Sequence, residues 1–164
     1  MCRLPKYSEN PARPAENCSE IKRPETPKHV LGIIGAVEPI YMLPMKTPFA
    51  ARIDTGAENS SLDVDNMKTF ERDGEKWVSF DLVNRQGGER HHFEKKILKF
   101  VTITRIHKSE KRPSVMMDVN FGGQIIKARF SLADREKFEY QALVGRNILT
   151  GRAIVDTALS NTLR

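Results

Sequence analysis

Ala51-Arg52-Ile53-Asp54-Thr55-Gly56-Ala57 runs as a short strand-like segment into an acidic residue and then turns sharply at glycine. Asp-Thr-Gly is ordinary turn chemistry, because aspartate bonds its own backbone and glycine supplies dihedrals that other residues avoid. The tripeptide therefore supports two readings, a plain turn and a carboxylate displayed at the end of a strand. Its surroundings favour the second. Ser60-Ser61-Leu62 returns to strand character, and Leu143-Val144-Gly145-Arg146-Asn147-Ile148-Leu149 reads as a buried strand that ends at glycine and opens a short helix.

Working outward, His29 to Val37 is a β-rich apolar run whose glycines mark bends or close packing, and it reads as the first core strand. Pro39, Pro44 and Pro48 then exclude a helix on the way to the strand Phe49–Ile53. Asp65 to Gly74 is turn-like, Glu75 to Val83 alternates as a strand, Asn84 to Gly88 is a loop, and His91 to Ile106 is one long strand or a pair. The clearest local signal follows. Val115, Met117, Val119 and Phe121 share one face, Gly122-Gly123 turns the chain, and Ile126, Ala128 and Phe130 return along the same face. Ala153 to Asp156 is a last strand, so the expected class is all-β with one short C-terminal helix.

The first 28 residues are different in kind. They hold five of the nine prolines among many charged and few apolar residues, too little apolar surface to offset the entropy of ordering. A flexible Pro-rich tail over residues 1–28 and a folded domain over 29–164 are expected. Cys2 and Cys18 both lie in that tail and read as free thiols, as a pair in an oxidising compartment, or, for Cys2, as a lipid attachment point behind a removed leader.

The chain has 164 residues, 39% hydrophobic and 29% charged, with a net charge of +6, which suits one globular domain that needs no staples. No apolar run approaches the ~20 residues of a membrane span, and Met1 is not followed by a signal core. The expected location is cytoplasmic, or periplasmic if a signal sequence was trimmed. Basic residues outnumber acidic ones by six to four in residues 1–30 and by 21 to 17 beyond. The excess is spread rather than clustered, and no aromatic-basic interleaving points to nucleic acid.

Other chemistries fare poorly. His-Glu-x-x-His is absent, and no cysteines have metal spacing. His91-His92-Phe93-Glu94 places His92 and Glu94 on one strand face with His29 or His107 as a distant third ligand, an incomplete set that an exposed charged strand explains equally well. Ser60 and Ser61 lack a glycine elbow, and Gly122-Gly123 lacks the Lys-Ser/Thr of a phosphate loop. No metal and no cofactor are expected.

Asp54-Thr55-Gly56-Ala57 followed by Val144-Gly145-Arg146-Asn147-Ile148-Leu149 resembles the two signatures of a retropepsin, the single-domain aspartic protease of retroviruses. Further segments resemble the bacterial retropepsin-like family labelled ATP-dependent zinc protease. They are Asp73 to Phe80, Lys111-Arg112-Pro113, Leu132 to Arg135 and Ile154-Val155-Asp156, and the likeness extends over residues 29–160. Where that family reads Ser-x-Leu-His, this chain has Ser60-Ser61-Leu62-Asp63.

The resemblance implies an aspartic peptidase with a retropepsin-like barrel. Asp54 is its catalytic residue, Thr55 ties two active strands across an axis, and Gly56 admits the substrate backbone. Ala57, Glu58, Gly145 and Arg146 support the site, with Glu58 and Arg146 expected to form a buried pair. The stretch from Met67 to Lys96 takes the place of the flap. Hydrolysis by this chemistry needs two carboxylates that share one proton. With one Asp-Thr-Gly per chain, the second must come from another copy. The expected partners are a second copy and a peptide or protein substrate. Some relatives occur with ATP-grasp ligases that add glutamates to proteins, which implies an acidic or glutamate-extended substrate. The alternative is a catalytically silent module of this fold that binds an acidic partner or such a ligase.

Overall fold

A computed structural model describes residues 28–134, 136 and 138–163. The expected tail, with Cys2 and Cys18, lies outside the described residues except for Lys28, as does Arg135. In chain order the elements are β1 (Gly32–Ile34), β2 (Val37–Met42), β3 (Phe49–Ile53), β4 (Ser60–Arg72), β5 (Glu75–Val83), β6 (Arg90–Lys96), β7 (Lys99–Arg105), β8 (Lys108–Phe121), β9 (Gln124–Asp134), β10 (Ala142–Val144), α1 (Arg146–Leu149) and β11 (Ala153–Val155). Strands dominate and one four-residue helix follows Gly145, so the all-β class is as expected.

Hydrogen bonding runs β10-β3-β2-β8-β9-β4 and returns from β4 to β10, which closes a ring of six strands. The ring follows from the alternation in its strands. Val115, Met117, Val119 and Phe121 of β8 and Phe130 of β9 are fully buried, while Met116, Asp118 and Asn120 between them and Arg129 beside Phe130 are less so. Gly122 and Gly123 join β8 to β9 with φ of +60° and +79°, the left-handed pair that a tight hairpin requires and side chains resist. Phe49, Ile40, Met42, Leu62 and Leu132 fill the interior from the other strands, each contributing roughly 1.5–3 kcal/mol by leaving water.

Two extensions leave the ring. β7 pairs with the first half of β8, and β5 and β6 continue outward from β4. The expected strand over His91 to Ile106 is thus the pair β6 and β7. The segment from Asp65 to Gly74, expected as a turn, is instead the outer half of β4, with the turn confined to Asp73 and Gly74. The reason is tertiary. β4 pairs in parallel with β9 over Ser60–Val64, shifts register between Asp65 and Lys68 where Asn66 has φ of +52°, and then pairs with β5. A bulge of this kind lets polar, turn-like residues stay in a strand while bending it.

The expected first strand is broken at Gly35 and Ala36 into β1 and β2. β1 leaves the ring and pairs in parallel with β11. Residues 156–163 fold back over this junction, where the Ala36 N–H donates to the Leu159 carbonyl and the Asn161 N–H to that of Val37. Leu163 packs against the core from the outside.

Candidate active site

β3 and β10 lie side by side in parallel, with Ala51, Arg52 and Ile53 opposite Ala142, Leu143 and Val144. Ala51 and Ile53 are buried and Arg52 is exposed, so the alternation places Arg52 and the next even residue, Asp54, on the outer face. β10 sits between β3 and β4 by pairing with both. The Asp54 N–H donates to the Val144 carbonyl at 2.9 Å, which fixes the end of one strand against the end of the other.

The Gly56 N–H donates to Asp54 Oδ1 at 2.9 Å and orients the half-buried carboxylate. Gly56 is absent from the glycines with left-handed φ. Its small size matters for another reason: a Cβ there would meet Asp54 Oδ1 at 3.2 Å. Special dihedrals, the ordinary explanation of glycine in such a turn, therefore do not apply at this position.

The turn is pinned from the β10 side. The Arg146 N–H donates to the Ala57 carbonyl at 2.8 Å and the Asn147 N–H to the Glu58 carbonyl at 3.0 Å. Gly145 N–H donates to Ser60 Oγ at 3.0 Å, and that hydroxyl donates to Asn147 Oδ1 at 2.8 Å. Ala57, Gly145 and Arg146 are thus brought together at this turn. The expected buried Glu58–Arg146 pair does not form. Both side chains are exposed, and Arg146 Nη1 donates to the Thr55 carbonyl at 3.0 Å. The backbone bonds here join Arg146 to Ala57 and Glu58 to Asn147, and the guanidinium follows the turn rather than the acid. Thr55 is exposed, and among the described residues its hydroxyl has no partner.

Asp63, where the resembled family has histidine, is buried and salt-bridged to Arg85, and its Oδ1 accepts from the Glu136 N–H at 3.0 Å. Arg85 also donates to the Phe138 carbonyl at 3.0 Å, and Gln141 ties back to Val83 and Arg85. These bonds hold Glu136 and residues 138–141 over the outer face of β3, β10 and β4. Between them is a cleft of about 290 Å³ lined by Arg52, Ser61, Arg112, Phe138, Tyr140 and Leu143, with Glu139 at the same cleft. Sequence reading did not single out Arg52, although its place between buried Ala51 and Ile53 was the available signal.

The loop inside the expected flap is fastened down. Glu89 accepts from the N–H groups of Lys46 and Thr47, and Asn84 donates to the Pro48 carbonyl at 2.9 Å. The Glu89 carboxyl is held below its ordinary range by the Thr47 hydroxyl first and these N–H groups next. His92 bonds Asp81 at 2.7 Å and Glu94 pairs with Arg72 at 3.0 Å, so the candidate ligands point to other partners. Among the described residues no group of three or more His, Cys, Asp or Glu could hold a metal ion, and no helix is long and apolar enough to cross a membrane.

A closed barrel with one Asp-Thr-Gly at the end of a strand, braced by a second strand ending in Gly-Arg-Asn, defines the retropepsin-like class. The chain belongs to the RimB-like family, described as the retropepsin-like aspartic endopeptidase RimB, whose model matches residues 33–163. It is 32% identical over 113 residues to a probable alpha-L-glutamate ligase of Shewanella pealeana, and 31% identical over 120 residues to one of Desulfotalea psychrophila. These matches cover 67% and 69% of this chain and 25% of each relative, so the chain spans about a quarter of the length of the curated relatives it matches. A crystal structure of a Legionella pneumophila protein of unknown function (DUF785) superposes with a TM-score of 0.68 at 28% identity, covering 81% of this chain and 98% of that one.

Proposed function

We propose that this protein is an aspartic endopeptidase that acts as a homodimer, with Asp54 of each copy forming the catalytic pair, on acidic or glutamate-extended peptides. The observation that carries this reading is the half-buried Asp54 carboxylate, oriented by the Gly56 N–H at the end of a braced strand. One chain supplies half of the required pair. Ile33 and Ile154, register partners on β1 and β11, are 58% and 50% exposed and offer an apolar face to a second copy.

Two carboxylates ~3 Å apart cannot both ionise, so one is a base and the other an acid. The ionised Asp54 takes a proton from water as the water oxygen bonds to the peptide carbonyl carbon. The protonated Asp54 of the other copy gives its proton to the carbonyl oxygen. The diol then collapses: one hydroxyl returns its proton to the Asp54 of the other copy, the C–N bond breaks, and the leaving nitrogen takes the proton first removed from water.

The glutamate part of the proposal draws on the relatives named as alpha-L-glutamate ligases, a quarter of whose length is similar to this chain. The same names favour a second reading, a silent module that binds an acidic partner or a ligase. The test compares wild type and Asp54→Asn on a peptide library containing oligo-glutamate peptides, from acidic to neutral pH, with sedimentation to read the dimer. Cuts made by wild type alone support the peptidase. An Asp54→Asn protein that dimerises and keeps full biological activity supports the binding module.

A further inference from the structure

We propose that Arg52 is the specificity-determining residue of the site, binding a carboxylate side chain of the substrate one residue from the bond to be cut; this rests on the peptidase reading above. Two positions along a strand span about 7 Å, close to the spacing of side chains on one face of an extended peptide. Arg52 and Asp54 share the outer face of β3, so a peptide whose carbonyl lies at Asp54 brings a neighbouring side chain to Arg52.

The surroundings make a plain surface arginine a poor explanation. β3 is an interior strand, paired to β2 through Val37 and to β10 through Leu143 at this residue. The cleft around Arg52 offers Phe138, Tyr140 and Leu143 beside Ser61, Arg112 and Glu139, so the stem of the exposed Arg52 has apolar surface to lie on while its charged end stays in reach of a ligand. Arg112 in the same cleft is already committed, bonding Glu110 at 3.1 Å and lying 5.8 Å over the Phe138 ring. Glu139 is exposed at the cleft but makes no ion pair with Arg52, and among the described residues the Arg52 guanidinium has no hydrogen-bond or ion-pair partner. Its planar fork is therefore open to a bidentate bond with a carboxylate. A glutamate side chain in the cleft would lay its methylenes on the aromatic wall and its carboxylate on Arg52.

The test uses the full chain and two peptides that differ by one glutamate-to-glutamine change, at fixed low salt. Wild type is expected to prefer the glutamate peptide by about tenfold or more in kcat/KM, Arg52→Gln to lose most of that ratio, and Arg52→Lys to keep part of it. Thermal melts of each variant separate this from misfolding. No preference in wild type, or an unchanged ratio in Arg52→Gln, overturns the proposal. If wild type cuts neither peptide, the peptidase reading fails separately, and labelled peptides decide the Arg52 assignment by binding. A glutamate preference that depends on Arg52 upholds it, and equal binding to wild type and Arg52→Gln overturns it.

Discussion

Gly145 lies so close to Asn59 that a Cβ on it would stand 2.5 Å from the Asn59 carbonyl oxygen and 2.9 Å from that of Ala57. Both oxygens belong to the turn that carries Asp54, so this glycine sets how tightly the ends of β3 and β10 approach. Gly145→Ala must push backbone from backbone, and no flexible side chain can yield. A loss of about 1–3 kcal/mol is expected, read as a lower midpoint in urea, together with a fall in kcat because the Asp54–Val144 bond is displaced.

Arg146 bonds the Thr55 carbonyl and leaves Glu58 to solvent. Arg146→Ala is accordingly expected to cost only about 1 kcal/mol of stability, while activity falls further because Thr55 and Asp54 lose a fixed neighbour. Glu58→Ala should cost less than about 0.5 kcal/mol. A double-mutant cycle on the single chain is expected to give coupling near zero, and a coupling of several kcal/mol would contradict the geometry seen here.

The parts legible in the sequence were local. Period-two alternation marked the β8–β9 hairpin, paired glycines marked its turn, a strand-like run into Asp-Thr-Gly marked β3, and Gly145 marked the start of α1. Three features were hidden because distant residues decide them. Asp65 to Arg72 has the composition of a turn, yet pairing with β5 holds it as strand. Glu58 and Arg146 have complementary charges, but an intervening carbonyl captures the guanidinium. Asp63 reads as an isolated substitution until the fold brings Arg85, 22 residues on, to its carboxylate. No composition or spacing rule reports a contact made by a loop closing over a barrel.

Asp63 is fully buried while Arg85 is 42% exposed, so the two partners should respond unequally. Asp63→Ala removes the acceptor for both Arg85 and the Glu136 N–H and is expected to cost about 2–3 kcal/mol, below the usual range for a fully buried pair because water screens Arg85. Arg85→Ala should cost less in itself, but it leaves Asp63 buried without its cation. Since both hold Glu136 and residues 138–141 over the cleft, each variant is expected to raise KM more than it lowers kcat. Steady-state kinetics on an acidic peptide check this, and an unchanged KM in both would show that the loop does not wall the binding site.

Glu38 closes the fold at its two ends. It is fully buried on β2, and its carboxylate accepts from the N–H groups of Gly35, Thr162 and Leu163 and from the Thr162 hydroxyl. Burial pushes its pKa up, but the bonds from Leu163, Thr162 and Gly35 together outweigh burial and hold it below the ordinary glutamate value. The folded state thus binds this proton less readily than the unfolded chain. The stabilisation is present above the unfolded-state pKa and is lost as pH falls through the lower folded-state value. Glu38→Gln keeps the shape but cannot accept at both ends, and is expected to cost about 2–3 kcal/mol near neutral pH. Because the variant lacks the titrating group, its deficit relative to wild type should shrink in acid. Urea unfolding of both proteins from neutral to strongly acidic pH measures this difference. A deficit that stays constant with pH would mean that Glu38 acts through packing alone and that its charge does not hold the C-terminal segment against β2.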